Sequence, residues 1–283
     1  MMSENPTIDV MNRPLTEPGL YRGNAMPIPP LLAYDGGQAG SVTVRAGWAA
    51  AERRRPVDNC NDSVTVWSDP EETVVVLAVA DGVGAGESAG RAARAATALA
   101  ARAFHHHWHN AGRRDLENVV RSAIGDLDAS LRQQGSRSGS LDPGYRTTVV
   151  LAAVPAVVQP GGSVRAAVGR VGDSMAWLVR PGGLEPVFGA RDPAGGTPAL
   201  PGHYQLLESR SLVLSDGEVL ALTTDGLAAG GPEERAAPYL ADMWAAPPAP
   251  LEFLRTLTVR RNDRDDDRAA AVAWLGHYEI RNA

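Results

Sequence analysis

Two stretches of the 283-residue chain end an apolar run on Asp-Gly. They are VLAVADGVGAGESAG (76–90), carrying Asp81, and VLALTTDGLAAG (219–230), carrying Asp225. A carboxylate at the end of a buried strand is held by rigid backbone, and the following glycine lets a ligand approach the main chain. A third pair, Asp216-Gly217, lies between the short apolar runs SLVLS and EVLALTT and reads as a two-residue hairpin turn. Asp-Gly alone therefore proves nothing. Further candidates are Asp62 in DNCNDSV, Asp142 in LDPGYRTT, and Asp265, Asp266 and Asp267 in RDDDRAAAVAW. Taken singly, each Asp reads as a turn or a cap. Several converging carboxylates would repel one another unless a cation sat between them. Oxygen ligands without a set of His or Cys select hard cations such as Mg²⁺ or Mn²⁺.

Other chemistries fit less well. Gly84-Ala85-Gly86-Glu87-Ser88-Ala89 satisfies G-x-G-x-x-A between a strand and a helix, the fingerprint of a dinucleotide cradle. Such a unit needs an acidic residue on a second strand about 20 positions later. Phe104 and His105 stand there, inside a helical pattern. All 27 basic residues are Arg, which excludes a P-loop and any mechanism that needs a Lys. HHHWH (105–109) lacks nearby acids and further His partners, and reads as an exposed helix end. Cys60 reads as an ordinary packed thiol, and one cysteine fits a reducing cytoplasm. A net charge of −6 offers no basic footprint for nucleic acid. No apolar stretch reaches the roughly 18 residues of a membrane span, and no secretory signal pattern opens the chain.

The elements that must position these side chains follow from the pattern. Residues 1–40 hold six prolines and no sustained periodicity, and read as an irregular N-terminal arm ahead of one domain over 41–283. SVTVRAGWA and SVTVW are short and β-branched, hence strands. TVVVLAVA (73–80) is apolar at every position, as expected of a strand buried on both faces. Residues 87–108 form the clearest helix, rich in Ala, and a second follows over 114–134. Strands are predicted over 147–157, 164–171, 174–180, 211–215 and 218–224, with a Pro- and Gly-rich interruption over 181–202. A late helix over 248–259 and a final strand over 268–275 close the chain, with Trp67, Trp177 and Trp274 as core. Consecutive helices between runs of strands argue for antiparallel sheets with helices outside them, an α+β design.

From about residue 41 to 276 the chain resembles the type-2C metal-dependent protein Ser/Thr phosphatases, the PPM family. Five stretches carry the resemblance in the family's order: VAVADGVG, GYRTTVVLAA, AAVGRVGDSMAWLVR, LALTTDGL and DDRAAAVAW. The resemblance implies a four-layer αββα sandwich of two antiparallel sheets flanked by helix pairs, with a two-metal centre at one end. It implies that Asp81 bridges two Mn²⁺ or Mg²⁺ ions, that the Gly82 carbonyl binds the second, and that Asp225 and Asp266 complete the first. Asp62 resembles the acid that orients the attacking water, and Asp142 the ligand of a third ion. Gly172-Asp173-Ser174 resembles a structural strand turn beside the site. The implied reaction is hydrolysis of phospho-Ser or phospho-Thr monoesters in a phosphoprotein, the target of a Ser/Thr kinase, without a covalent protein intermediate.

The chain also departs from the family pattern. The family's first motif places an Arg five residues before the acid, where this chain has Val57; Arg53, Arg54 or Arg55 would have to reach the phosphate, with Arg55 nearest. Asp267 and Ala269 replace the usual Asn and Thr of the closing motif, so Asp265 or Asp267 could stand in for Asp266 by a shift of register. The segment 181–202 occupies the family's flap position without its usual sequence. These departures leave a rival reading: a module of the same fold that binds or regulates and no longer catalyses.

Overall fold

A computed structural model describes residues 32–51, 60–84, 86–110, 115–137, 140–189, 196–228, 236–259, 266–276 and 278. The chain opens with strands β1 (Leu32–Ala39), β2 (Val42–Ala49), β3 (Asp62–Ser68) and β4 (Val74–Asp81). Helices α1 (Glu87–Asn110) and α2 (Leu116–Gly135) follow. Next come a small ladder of β5 (Ser136–Arg137) and β6 (Ser140–Leu141), then β7 (Val149–Pro155), β8 (Ser163–Val171), β9 (Met175–Arg180) and β10 (Gly183–Pro186). Strands β11 (Glu208–Ser215) and β12 (Val219–Thr223), helices α3 (Ala236–Met243) and α4 (Pro250–Thr256), and strand β13 (Arg268–Leu275) complete the order.

Two antiparallel sheets form the centre. One has six strands in the order β1-β2-β13-β12-β9-β10, the other five in the order β11-β8-β7-β4-β3. The period-two geometry of a strand explains the uniform apolarity of β4. Val75, Leu77 and Val79 face the core between the sheets, while Val74, Val76, Ala78 and Ala80 pack under α1 and α2. Strand β13 does the same on the other side. Ala269, Ala271, Ala273 and Leu275 enter the inter-sheet core, and Ala270, Val272 and Trp274 pack with residues of α3 and α4. The result is the expected α+β sandwich with helices outside both sheets. Trp67, Trp177 and Trp274 are buried, as read from the sequence.

Four local readings need correction. Leu32–Ala39, read as part of an irregular arm, is strand β1 and pairs with β2 along its whole length. Its sequence LAYDGGQA shows no apolar alternation, so only the partner strand defines it. Asp216-Gly217 is not a hairpin turn, because β11 pairs with β8 in one sheet and β12 with β9 and β13 in the other. The pair is a crossover between sheets: Gly217 has φ +85 and its N–H donates to Leu275 O at 2.8 Å. Strand β10 lies inside the segment read as an interruption. Helix α3 was not anticipated.

The topology sets the site. Strand β4 ends at Asp81, opposite Asp62 at the start of β3. In the facing sheet β12 ends at Thr223, opposite Ala270 near the start of β13. Thr224 and Asp225 follow directly on β12, and Asp266 and Asp267 directly precede β13. The anchoring of that second sheet is testable at Trp274, whose indole N–H donates to Trp244 O at 2.7 Å in the outer core. Trp274→Ala is expected to cost about 3–5 kcal/mol in urea unfolding.

Candidate active site

Asp81 is held by its main chain before its side chain does anything. Its N–H donates to Thr148 Oγ1 at 3.0 Å, and its carbonyl accepts from Thr148 N at 2.7 Å and Thr147 Oγ1 at 2.9 Å. Thr148 Oγ1 in turn shares a 2.7 Å hydrogen bond with Ser174 Oγ. The GYRTT stretch (144–148) and Gly172-Asp173-Ser174 therefore clamp the backbone of the first Asp-Gly. Gly82 is required for space: a Cβ there would lie 2.5 Å from the Ala89 carbonyl carbon of α1. The first turn of α1 fills that space.

The second Asp-Gly shows the same logic. A Cβ on Gly226 would run into the Asp267 carbonyl oxygen at the entrance to β13. This packs the Asp225 loop against the segment carrying Asp266 and Asp267. The two adjacent acids have different partners. Both carboxylate oxygens of buried Asp267 accept main-chain N–H groups, from Ala51 and from Asn61, each at 2.7 Å. Asp267 thus ties together the two ends of the segment 52–59. Asp266, partly exposed, accepts Asp267 N at 2.9 Å. Arg53, Arg54, Arg55 and Asp265 lie outside the described residues.

A side-chain hydrogen bond also joins the sheets at this end. Thr224 Oγ1 donates to Asp62 Oδ2 at 2.6 Å, and both residues are buried. Asp62 and Asp81 stand opposite each other in register, and the carboxyl group of each bears on the other. Burial is the first cause that pushes the Asp81 carboxyl up to about 7, followed by the charge of Asp225; Asp173 and Asp266 add to it. Burial likewise drives Asp62 well above the usual carboxylate range, reinforced by Asp81 and Asp267 and opposed by the Thr224 hydrogen bond. Asp62, Asp81, Asp225 and Asp266 are thus brought into one electrostatic set.

Asp142 is placed differently. Its two oxygens accept Ser88 Oγ at 2.6 Å and Gly144 N at 2.9 Å, beside the start of α1. Asp173 was read only as part of a turn, yet its charge bears on Asp81. Its Oδ2 accepts Thr197 Oγ1 at 2.8 Å, and its Oδ1 is buried with no hydrogen-bond partner. The His run contributes nothing here: His107 pairs with Asp126 at 2.9 Å on the surface of the helix pair. Cys60 is a buried thiol.

Residues 51–250, more than half of the chain, match the family model described as protein phosphatase 2C. The chain belongs to the protein phosphatase 2C family. No curated protein sequence matches it. Among solved structures it is similar to the Mycobacterium tuberculosis serine/threonine phosphatase PstP, with a TM-score of 0.59 and 19% identity over 83% of this chain and 99% of that one. It is also similar to RsbX in complex with magnesium, with a TM-score of 0.56 and 16% identity over 86% of this chain and 100% of that one. The PstP catalytic domain in complex with two manganese ions gives 0.56 and 18% over 83% and 99%. At these identities the likeness is one of fold.

The donor set of this protein phosphatase 2C chain is all oxygen, which suits a hard divalent cation. Asp173 Oδ1, buried without a hydrogen-bond partner, adds negative charge beside Asp81 that a cation would offset. Among the described residues, no group of three or more His, Cys, Asp or Glu already stands in ligating geometry.

A pH dependence follows. The folded Asp81 binds its proton more tightly than the unfolded chain does, so its contribution is full below about pH 4. That contribution is lost as the pH rises through about 7. With chelator present, the melting temperature is expected to fall between pH 5 and pH 8, and Asp81→Asn to flatten the fall. Mn²⁺ at pH 8 should restore the parent and not the variant. Loss of Asp267 tests the second tie: Asp267→Ala strands two buried N–H groups and should cost about 2–4 kcal/mol in the same unfolding assay.

Proposed function

We propose that this protein phosphatase 2C chain is an active metal-dependent phosphoprotein phosphatase that hydrolyses phospho-Ser and phospho-Thr monoesters. The observation that carries the reading is the convergence of Asp62 and Asp81 from one sheet with Asp225 and Asp266 from the other. Asp81, the Gly82 carbonyl, Asp225 and Asp266 hold two divalent cations, Mn²⁺ or Mg²⁺, and Asp142 offers a ligand for a third. Bound there, the cations lower the pKa of water enough to supply hydroxide near neutral pH and offset charge on the phosphoryl oxygens.

The chain's own residues do the rest. Asp62, fixed on β3, accepts a hydrogen bond from the attacking water and aims it at phosphorus. Arg55 donates to the phosphoryl oxygens, where a guanidinium forms paired charge-assisted bonds. No side chain attacks phosphorus, in keeping with a chain that has no Lys and whose one Cys is buried. The substrate is a phosphoprotein made by a Ser/Thr kinase, met in the cytoplasm, with no nucleic acid or membrane as partner. Among the described residues no helix is long and apolar enough to cross a membrane. The catalytic domain includes β1 (Leu32–Ala39), ahead of residue 41.

Purified protein is expected to hydrolyse an aryl phosphate and a phosphothreonine peptide with Mn²⁺, and to stop with chelator. Asp81→Asn and Asp225→Asn should lower kcat by about 10²–10³-fold, the scale of losing one electrostatic element aimed at the transition state. Arg55→Ala should act mainly on KM. Turnover that persists in chelator, or none with Mn²⁺ or Mg²⁺ in a folded protein, contradicts the reading; the second outcome favours a binding module.

A further inference from the structure

The Thr224 hydroxyl is fixed from three sides. Its residue is fully buried at 0% exposure, and its main-chain N–H donates to Ala269 O at 3.0 Å. Its Oγ1 accepts Ala269 N–H at 2.9 Å. A threonine hydroxyl has one proton to give. The Ala269 carbonyl lies at 3.5 Å, the limit of a hydrogen bond, whereas Asp62 Oδ2 lies at 2.6 Å. The proton therefore points at Asp62. Since Thr224 is tied to β13 by both its backbone and its oxygen, the hydroxyl cannot follow Asp62 about; the carboxylate must come to it.

Asp62 is 3% exposed and begins β3 in the opposite sheet. Asp81 stands directly opposite it on β4. With Oδ2 committed to Thr224, rotation of the carboxylate is stopped and its remaining capacity is turned toward Asp81. We propose that Thr224 is a positioning residue: a relay from Ala269 N–H through the Thr224 hydroxyl to Asp62 Oδ2 sets the orientation of the acid that aims the attacking water. The relay also couples the two sheets at the one place where their separation matters. Asp225, the next residue, arrives from the same turn, so a shift of β12 against β3 would misplace a ligand and the water-orienting acid together. The kinetic part of this inference rests on the hydrolase reading above.

Partners one step removed from the reacting groups are worth about 10–100-fold in activity or metal affinity when lost. Thr224→Val keeps the shape and removes the hydroxyl. It is expected to lower kcat for Mn²⁺-dependent aryl phosphate hydrolysis by about 10–100-fold, with KM changed by no more than about twofold. Thr224→Ser keeps the hydroxyl and should recover most of the loss. In an Asp62→Asn background, Thr224→Val should add little, because the group it positions has already been altered. A readout independent of turnover is the crystal structure of chelated Thr224→Val, or of Thr224→Ala if the valine variant does not fold. The Asp62 carboxylate should leave its parental rotamer. An unchanged rotamer overturns the inference, as does a folded Thr224→Val with parental kcat or a full additive loss in the Asp62→Asn background. A parent protein with no turnover would instead contradict the hydrolase reading, and the rotamer would still decide the role of Thr224.

Discussion

Asp62 and Asp81 face each other at the ends of paired strands, Asp62 buried and Asp81 partly so, where the charges of Asp225, Asp173 and Asp266 also bear on Asp81. Carboxylates gathered this way cannot all be ionised without something positive among them. A proton on one of the acids can serve. A divalent cation serves better, since it offsets two charges and accepts several oxygen ligands. The strands do not allow the alternative, which would be to move the acids apart. β3 and β4 are paired over seven positions within a buried sheet, and the Asp81 backbone is clamped on both its N–H and its carbonyl. The fold thus holds the acids in mutual repulsion, and its packing and hydrogen bonds stabilise that arrangement.

Much of the remaining design serves this one end. Gly82 and Gly226 are small because α1 and the entrance to β13 come too close for a side chain. Those approaches bring each Asp-Gly loop against a rigid element. Asp267 spends both oxygens on the main chain of Ala51 and Asn61. Its partner Asn61 reaches on through its side chain to Gly84 O at 3.0 Å, just past Asp81. One buried carboxylate therefore links the start of β3, the close of β2 and the start of β13. Hydrogen bonds to a charged acceptor are among the stronger ones, at about 1.5–3 kcal/mol each.

The layers of the fold were legible where apolar runs are long. β13 has the bounds its sequence predicts, and β4 and α1 lie within a residue or two of theirs. Continuous burial on both faces leaves a continuous apolar run, and an Ala-rich amphipathic segment leaves a helical one. β1 was not legible because nothing in LAYDGGQA marks a strand until β2 lies beside it. Asp216-Gly217 misled for a related reason: sequence adjacency says that two strands are joined, not that they share a sheet.

The candidate site divides along the same line. Residue type and strand-end position brought Asp62, Asp81, Asp225 and Asp266 to notice, because a carboxylate at either end of an apolar run is visible in sequence. The assignment of roles within Asp265, Asp266 and Asp267 was not visible. Three consecutive acids look alike, and only the long-range N–H groups of Ala51 and Asn61 separate Asp267 from its neighbour. The same holds for Thr224, one of two threonines before Asp225, whose meaning lies in a contact 162 positions away. The charge of Asp173 on Asp81 was hidden inside a motif that reads as a turn.

The central claim is that these acids are arranged for cations, and crystals soaked in Mn²⁺ test it most directly. Anomalous scattering collected at the manganese edge is expected to show two peaks flanking the Asp81 carboxylate, with Asp225 and Asp266 turned toward one of them. Diffraction from fully soaked crystals with no peak at Asp81 would contradict it.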